Sequence, residues 1–282
     1  MSGKEWCHVF LNFNQENGYL FDGVDWDYEG HDDVTSPTAQ FTLETLDIIV
    51  DFSIEAKRRG LIVSMAPAES YLDSTIQSGS IMEAQFSLSL HLPPRAWTIS
   101  PFASDDDREI VASNKFSHAG RQCYAYILAR AGIETFDWIS IQLYEAYSPF
   151  SHDVHRRKLD VVDALMMRIN SLVAGGYTVT DLPLSSSSSI SPTSSSEFEV
   201  KIPMEKIVLG IGNGWVDGLK FCKVEPSAMK AAHDRAIVKY GKGYLGVMFW
   251  TIEEEGSTDE LRMTYLLRRE FKDIEQSSTN EL

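Results

Sequence analysis

The stretch Phe21-Asp22-Gly23-Val24-Asp25-Trp26-Asp27-Tyr28-Glu29-Gly30 constrains this chain more than any other. Side chains of a β-strand alternate between faces, so Asp25, Asp27 and Glu29 line one side and Val24, Trp26 and Tyr28 the other. Successive carboxylates then stand about 6.6 Å apart, where they repel one another and resist desolvation. The apolar side needs a cover, which predicts that the acids point into an interior or cleft rather than into bulk water. Mutual repulsion is expected to raise the pKa of at least one of them, the condition for a carboxylic acid to stay protonated near neutral pH. Glu29, at the C-terminal mouth of the strand, is the candidate general acid. Asp27 can reach it or a substrate, and Asp25 sits one layer deeper. A solvated edge face and a hard-cation site are the competing readings, and no accompanying motif supports a metal.

The rest of the chain alternates helical and strand patterns, the signature of a parallel sheet with crossover helices. Strands are predicted at 21–29, 61–67, 138–144, 207–211 and 245–250. Helical periodicity or a turn covers 4–18, and helices are expected at 41–59, 119–131, 156–173 and near 227–239. Lys57-Arg58-Arg59-Gly60 reads as a helix stop, with cations in the last turn followed by glycine. Ser185–Ser196 is a serine-rich run expected to be a disordered surface insertion without catalytic role. Residues 1–271 form one unit on this reading, followed by a polar tail at 272–282.

Composition narrows the partners. A net charge of −16 over 282 residues argues against nucleic acid or an anionic membrane. No apolar run of about 18 residues exists to span a membrane, and Val9-Phe10-Leu11 is too short to serve as a signal peptide core. Cys7, Cys123 and Cys222 are scattered, with neither metal-ligand spacing nor a disulfide framework. No cofactor is expected.

Two acids from one strand approach a substrate from one side, whereas ordinary glycosidases flank the scissile bond with two carboxylates. The nucleophile must then come from another strand or from the substrate. Asp22-Gly23-x-Asp25-x-Asp27-x-Glu29 resembles the D-G-x-D-x-D-x-E signature of the family 18 glycoside hydrolases, the chitinases and their relatives. Further elements follow in the family's order. Met65-Ala66-Pro67 resembles the end of its fifth strand, Gln142-Leu143-Tyr144 its sixth-strand Q-x-Y, and Gly246-Val247-Met248-Phe249-Trp250 its eighth strand.

The resemblance implies an α/β fold of the (β/α)8 TIM-barrel type, with the fourth to eighth βα units evident. It implies Glu29 as acid/base, Asp27 as the residue orienting the substrate's N-acetyl group, Asp25 as its deeper partner and Tyr144 as a contact to the reacting acetamido group. Gln142, Met65, Ala66 and Trp250 are the implied sugar-site residues, the tryptophan by stacking. The implied substrate is an N-acetylglucosamine polymer or oligosaccharide, cleaved with retention through attack by its own acetamido oxygen. A monomer is expected, secreted if a longer N-terminus exists. The family's first three strands precede the acidic motif, so the expectation is a chain truncated before the fourth barrel strand, or one that receives the missing strands from a partner or replaces them locally. An inactive sugar-binding relative, and an enzyme acting on N-glycan cores or peptidoglycan, remain alternatives. Trp215 is read as packing or stacking, and Glu253-Glu254-Glu255 as a solvated loop.

Overall fold

The computed structural model describes residues 1–28, 43–72, 123–144, 148–155, 157–175, 177–179, 198–216, 218, 221–255 and 262–272. Five strands form one all-parallel sheet: β1 (Gly23–Trp26), β2 (Ile62–Met65), β3 (Trp138–Gln142), β6 (Ile207–Gly212) and β7 (Gly246–Trp250), in the order β1-β2-β3-β6-β7. They are the five strands expected from the sequence. A separate antiparallel ribbon, β4 (Tyr177–Val179) with β5 (Phe198–Val200), was not foreseen. The helices are α1 (Gly3–Glu16), α2 (Leu43–Arg58), α3 (Cys123–Ala131), α4 (Pro149–His155), α5 (Val161–Asn170), α6 (Pro226–Tyr240) and α7 (Met263–Glu270). The serine-rich run and most of the 68–137 connection lie outside the described residues.

Register divides the sheet into two chemically different faces. Val24 pairs with Val63, Trp26 with Met65, Met65 with Ile139, Ile139 with Ile207, Ile141 with Leu209 and Ile211 with Phe249. Laterally paired residues share a face, so this side is apolar from end to end. It packs in one core with Leu46, Ile49 and Phe52 of α2, Ile127 of α3, Leu165 of α5 and Met229 of α6. On the other face Asp25 pairs with Ser64, Ser140 with Val208, Gln142 with Gly210, Gly210 with Met248 and Gly212 with Trp250. Among the described residues the helices pack against the apolar face, while the second face carries the acids, small and polar residues beside Val208, Met248 and Trp250. Strands β1 and β7 are the two edges of the described sheet.

Local chemistry accounts for the elements. Ser2 and Glu5 form a capping box at the start of α1, with Ser2 N–H donating to Glu5 Oε2 at 2.6 Å and Glu5 N–H to Ser2 Oγ at 3.3 Å. Helix α2 stops where the sequence predicts, with Gly60 at φ +83° and its N–H donating to Lys57 O. The cations there also have specific partners. Lys57 Nζ lies 2.6 Å from Asp137 Oδ1, and Asp137 Oδ2 accepts from Val63 N–H at 2.9 Å, which ties the end of α2 to the starts of β2 and β3. Burial alone would push the Asp137 carboxyl up, but the donations from Lys57 and Val63 win and hold it below its ordinary value. Gly23 is required by close approach, since a Cβ there would come within 2.1 Å of the Ile62 carbonyl oxygen.

Candidate functional site

Active sites of parallel α/β sheets gather at the C-terminal ends of the strands, and there the polar face presents most of the residues read from the sequence. Ser64, buried on β2, donates from Oγ to Asp25 Oδ1 at 2.5 Å. One layer higher, Gln142 Nε2 donates to Asp27 Oδ1 at 2.9 Å and to the Ala66 carbonyl at 2.6 Å. Both partners are acceptors only, which fixes the amide orientation and uses both of its donors. Asp25 therefore has a donor on the adjacent strand β2, and Asp27 one on β3, two strands away.

The backbone around Asp27 is held from beneath. Tyr124 of α3 is fully buried, and its hydroxyl accepts from Tyr28 N–H at 2.6 Å. The same hydroxyl lies 3.3 Å from the Trp26 carbonyl and 3.2 Å from that of Tyr28. Trp26 itself packs edge-on against Phe52 at 5.2 Å and donates from Nε1 to Ser53 Oγ at 2.8 Å. The strand is thus anchored through its apolar side.

Aromatic side chains stand at the far edge. Trp250 is 56 % exposed at the end of β7, whereas Tyr144 is buried after β3. Trp215 links them: its ring meets Tyr144 edge-on at 5.9 Å and its Nε1 donates to the Trp250 carbonyl at 2.5 Å. The cis Trp250–Thr251 peptide is flanked by Asn213, which is buried, donates to the Thr251 carbonyl at 2.5 Å and accepts from Thr251 N–H at 2.9 Å. Gly212 is what lets these groups close up, because a Cβ there would lie 2.1 Å from Val216 and 3.2 Å from the Trp215 ring. Below the loop after β2, Arg168 joins Glu69 and Asp153 in a buried ion-pair network, and Glu69 Oε2 accepts from Phe150 N–H at 2.9 Å.

Several expectations change. Asp25 and Asp27 are exposed, not enclosed, because β1 is an edge strand of the described sheet and has a neighbour on one side only. Met65 is fully buried on the apolar face, in register with Trp26 and Ile139, so its side chain is not brought to the acids. Gln142 is 2 % exposed, and its amide nitrogen is engaged by Asp27 and Ala66. Glu29 lies outside the described residues. Sequence reasoning did not single out Ser64, Tyr124 or Asn213. Ser64 left a readable trace, as the lone polar residue inside the apolar run Leu61-Ile62-Val63-Ser64-Met65. Among the described residues no group of three or more His, Cys, Asp or Glu could hold a metal ion, and no helix is long and apolar enough to cross a membrane.

No family model and no curated protein matches this sequence. Among solved structures, a GH18 chitinase from Pseudoalteromonas aurantia is similar in fold, at 13 % identity and a TM-score of 0.50. The match covers 98 % of this chain and 68 % of that one.

Proposed function

We propose that this chain is a glycoside hydrolase acting on glycans that contain β-1,4-linked N-acetylglucosamine, by substrate-assisted retaining hydrolysis. The observation that carries the reading is the paired support of the acids. Asp25 and Asp27 stand on the polar face at the C-terminal end of a parallel sheet, Asp25 held by Ser64 of the adjacent β2 and Asp27 by Gln142 of β3, two strands away. Glu29, two residues beyond Asp27, protonates the glycosidic oxygen. The acetamido carbonyl oxygen of the sugar attacks the anomeric carbon from the opposite side as the leaving alcohol departs, giving a cyclic oxazolinium ion. Asp27 orients the acetamido N–H, with Asp25 behind it, and the Tyr144 hydroxyl contacts the acetamido oxygen. Glu29, now a carboxylate, takes a proton from water as that water opens the ring, and configuration is retained. This route is an exception to the two-carboxylate rule, and it needs no nucleophile from the protein. The exposed Trp250 ring supplies a stacking platform for the sugar, and Gln142, oriented by the Ala66 carbonyl, holds the carboxylate of Asp27 rather than the sugar.

The test is the release of products from N-acetylated and fully deacetylated chitin oligomers. The acetylated series is expected to be cleaved alone, and equal turnover of both would exclude attack by the acetamido group. Glu29→Gln is expected to abolish turnover while leaving oligosaccharide binding measurable by calorimetry. A second reading, sugar binding without hydrolysis, is favoured by one observation, the solvent exposure of Asp25 and Asp27, since a charge in water is tuned less than an enclosed one. It is distinguished by oligosaccharide binding to the unaltered chain with no cleavage. A panel of chitin, N-glycan and peptidoglycan fragments separates the substrate classes.

A further inference from the structure

Among the described residues, helix α1 carries apolar surface that nothing covers. Gly3, Cys7 and Asn14 mark its buried side, with Phe10 packed 6.0 Å from Phe52 of α2. On the adjoining face Trp6, Val9 and Phe13 recur at i, i+3 and i+7, and they are 47 %, 48 % and 50 % exposed. The loop that follows extends the patch. Asn14 clamps Phe21 by donating to its carbonyl at 2.8 Å and accepting from its N–H at 2.9 Å. Phe21 then lies 6.2 Å from Phe10, with Tyr19 and Leu20 exposed beside it. Met1, Trp6, Val9, Phe13, Tyr19, Leu20 and Phe21 are each about half exposed or more. Summed, their exposed residue surface is on the order of 800 Å², comparable to one side of a standard interface.

We propose that this face of α1 is a two-fold interface with a second copy of this chain. The seam of Trp6, Val9 and Phe13 has the alternating three- and four-residue spacing by which helices pack side by side. Val9 lies near its middle, three residues after Trp6 and four before Phe13, so an antiparallel pairing sets Trp6 of each copy near Phe13 of the other, a self-complementary arrangement. Charge favours the helix over the nearby strand edge. Asp22, Asp25 and Asp27 along β1 would face the same three acids of a second copy, and charged edges resist strand addition. Helix α1 holds Lys4, Glu5, His8 and Glu16, so it contributes little of the net charge of −16. Glu5 and Glu16 flank the seam, and their repulsion makes the association tighten as salt rises.

Light scattering coupled to size exclusion, on the full chain from micromolar to tens of micromolar, is expected to give twice the protomer mass of 31.7 kDa. Val9→Glu and Phe13→Glu are each expected to return the protomer mass with an unchanged circular dichroism spectrum. Val238→Glu, at an 89 % exposed apolar position on α6, is expected to leave the dimer intact. Val9→Cys, close to the two-fold axis, is expected to give a disulfide-linked dimer on mild oxidation, since the three native cysteines are buried. A chain that stays monomeric throughout, or a dimer that survives both glutamate variants, overturns the proposal. So does a polydisperse assembly that Val9→Glu fails to disperse, which would place the contact on the β1 or β7 edge.

Discussion

Tyr124 carries one of the most consequential single atoms near the site. Its hydroxyl takes the Tyr28 N–H and sits against the carbonyls of Trp26 and Tyr28, so it grips the backbone on both sides of Asp27. Tyr124→Phe keeps the ring and its packing but leaves a partly buried N–H without that acceptor, at a cost of about 1–3 kcal/mol. A loss of that size lowers the melting temperature by a few degrees in a chain of this length. If the grip serves the acids, kcat on an acetylated oligomer falls more than the stability loss alone explains, with KM little changed. Equal Tm and kcat in the variant would show that the hydroxyl is incidental. This residue also marks the limit of sequence reading. Asp25, Asp27 and Trp250 announce themselves through local alternation and neighbouring apolar residues. Tyr124 meets Tyr28 across 96 positions and Gln142 meets Asp27 across 115, and no local periodicity encodes such pairs.

At the scale of elements, His233 shows how a buried imidazole makes packing depend on pH. It lies on α6, with its ring edge-on to Tyr244 at 5.0 Å and to Phe271, just beyond α7, at 5.4 Å. A Cβ on Gly243 would fall 2.0 Å from the ring, so the backbone closes on it as well. Burial disfavours the charged form and, with Lys230 adding to it, outweighs Asp234, so the imidazole is held below its ordinary 6.5. A folded-state value below the unfolded one means that the unfolded chain binds the proton more readily. The contribution is therefore fully present above 6.5 and is lost as pH falls through the lowered folded value. Between pH 8 and pH 5 the wild-type Tm is expected to fall more than that of His233→Phe. Parallel slopes for the two proteins would remove His233 as the cause. The elements themselves were legible where the signal was long: five strands and α1, α2, α3, α5 and α6 follow apolar runs or helical periodicity. The three-residue strands β4 and β5 are too short for alternation to register, and 18 residues separate them. Helices α4 and α7 span 7 and 8 residues, barely two turns, which is too little for a periodic stripe.

For the whole molecule the governing quantity is charge, 41 acidic against 25 basic residues. Two effects of salt oppose each other. Screening weakens exposed ion pairs such as Lys230–Asp234, Arg235–Asp163 and Lys242–Glu205, but each is worth only about 0–1 kcal/mol. These pairs are in direct contact, at 2.7, 2.5 and 2.6 Å, well inside any screening length. The 16 uncompensated negative charges interact over longer distances, and raising salt from about 0.01 M to about 0.15 M cuts the screening length from about 30 Å to about 8 Å. Long-range repulsion is thus relieved more than contact attraction is lost, and Tm is expected to rise by a few degrees over this range. The measurement belongs on Val9→Glu, because association of the wild-type chain would add its own concentration-dependent stabilisation. A falling Tm would mean that the ion pairs outweigh the net charge. If the wild-type chain gains more from salt than the variant, and gains more at higher protein concentration, the difference reports the α1 interface, where Glu5 and Glu16 flank an apolar seam.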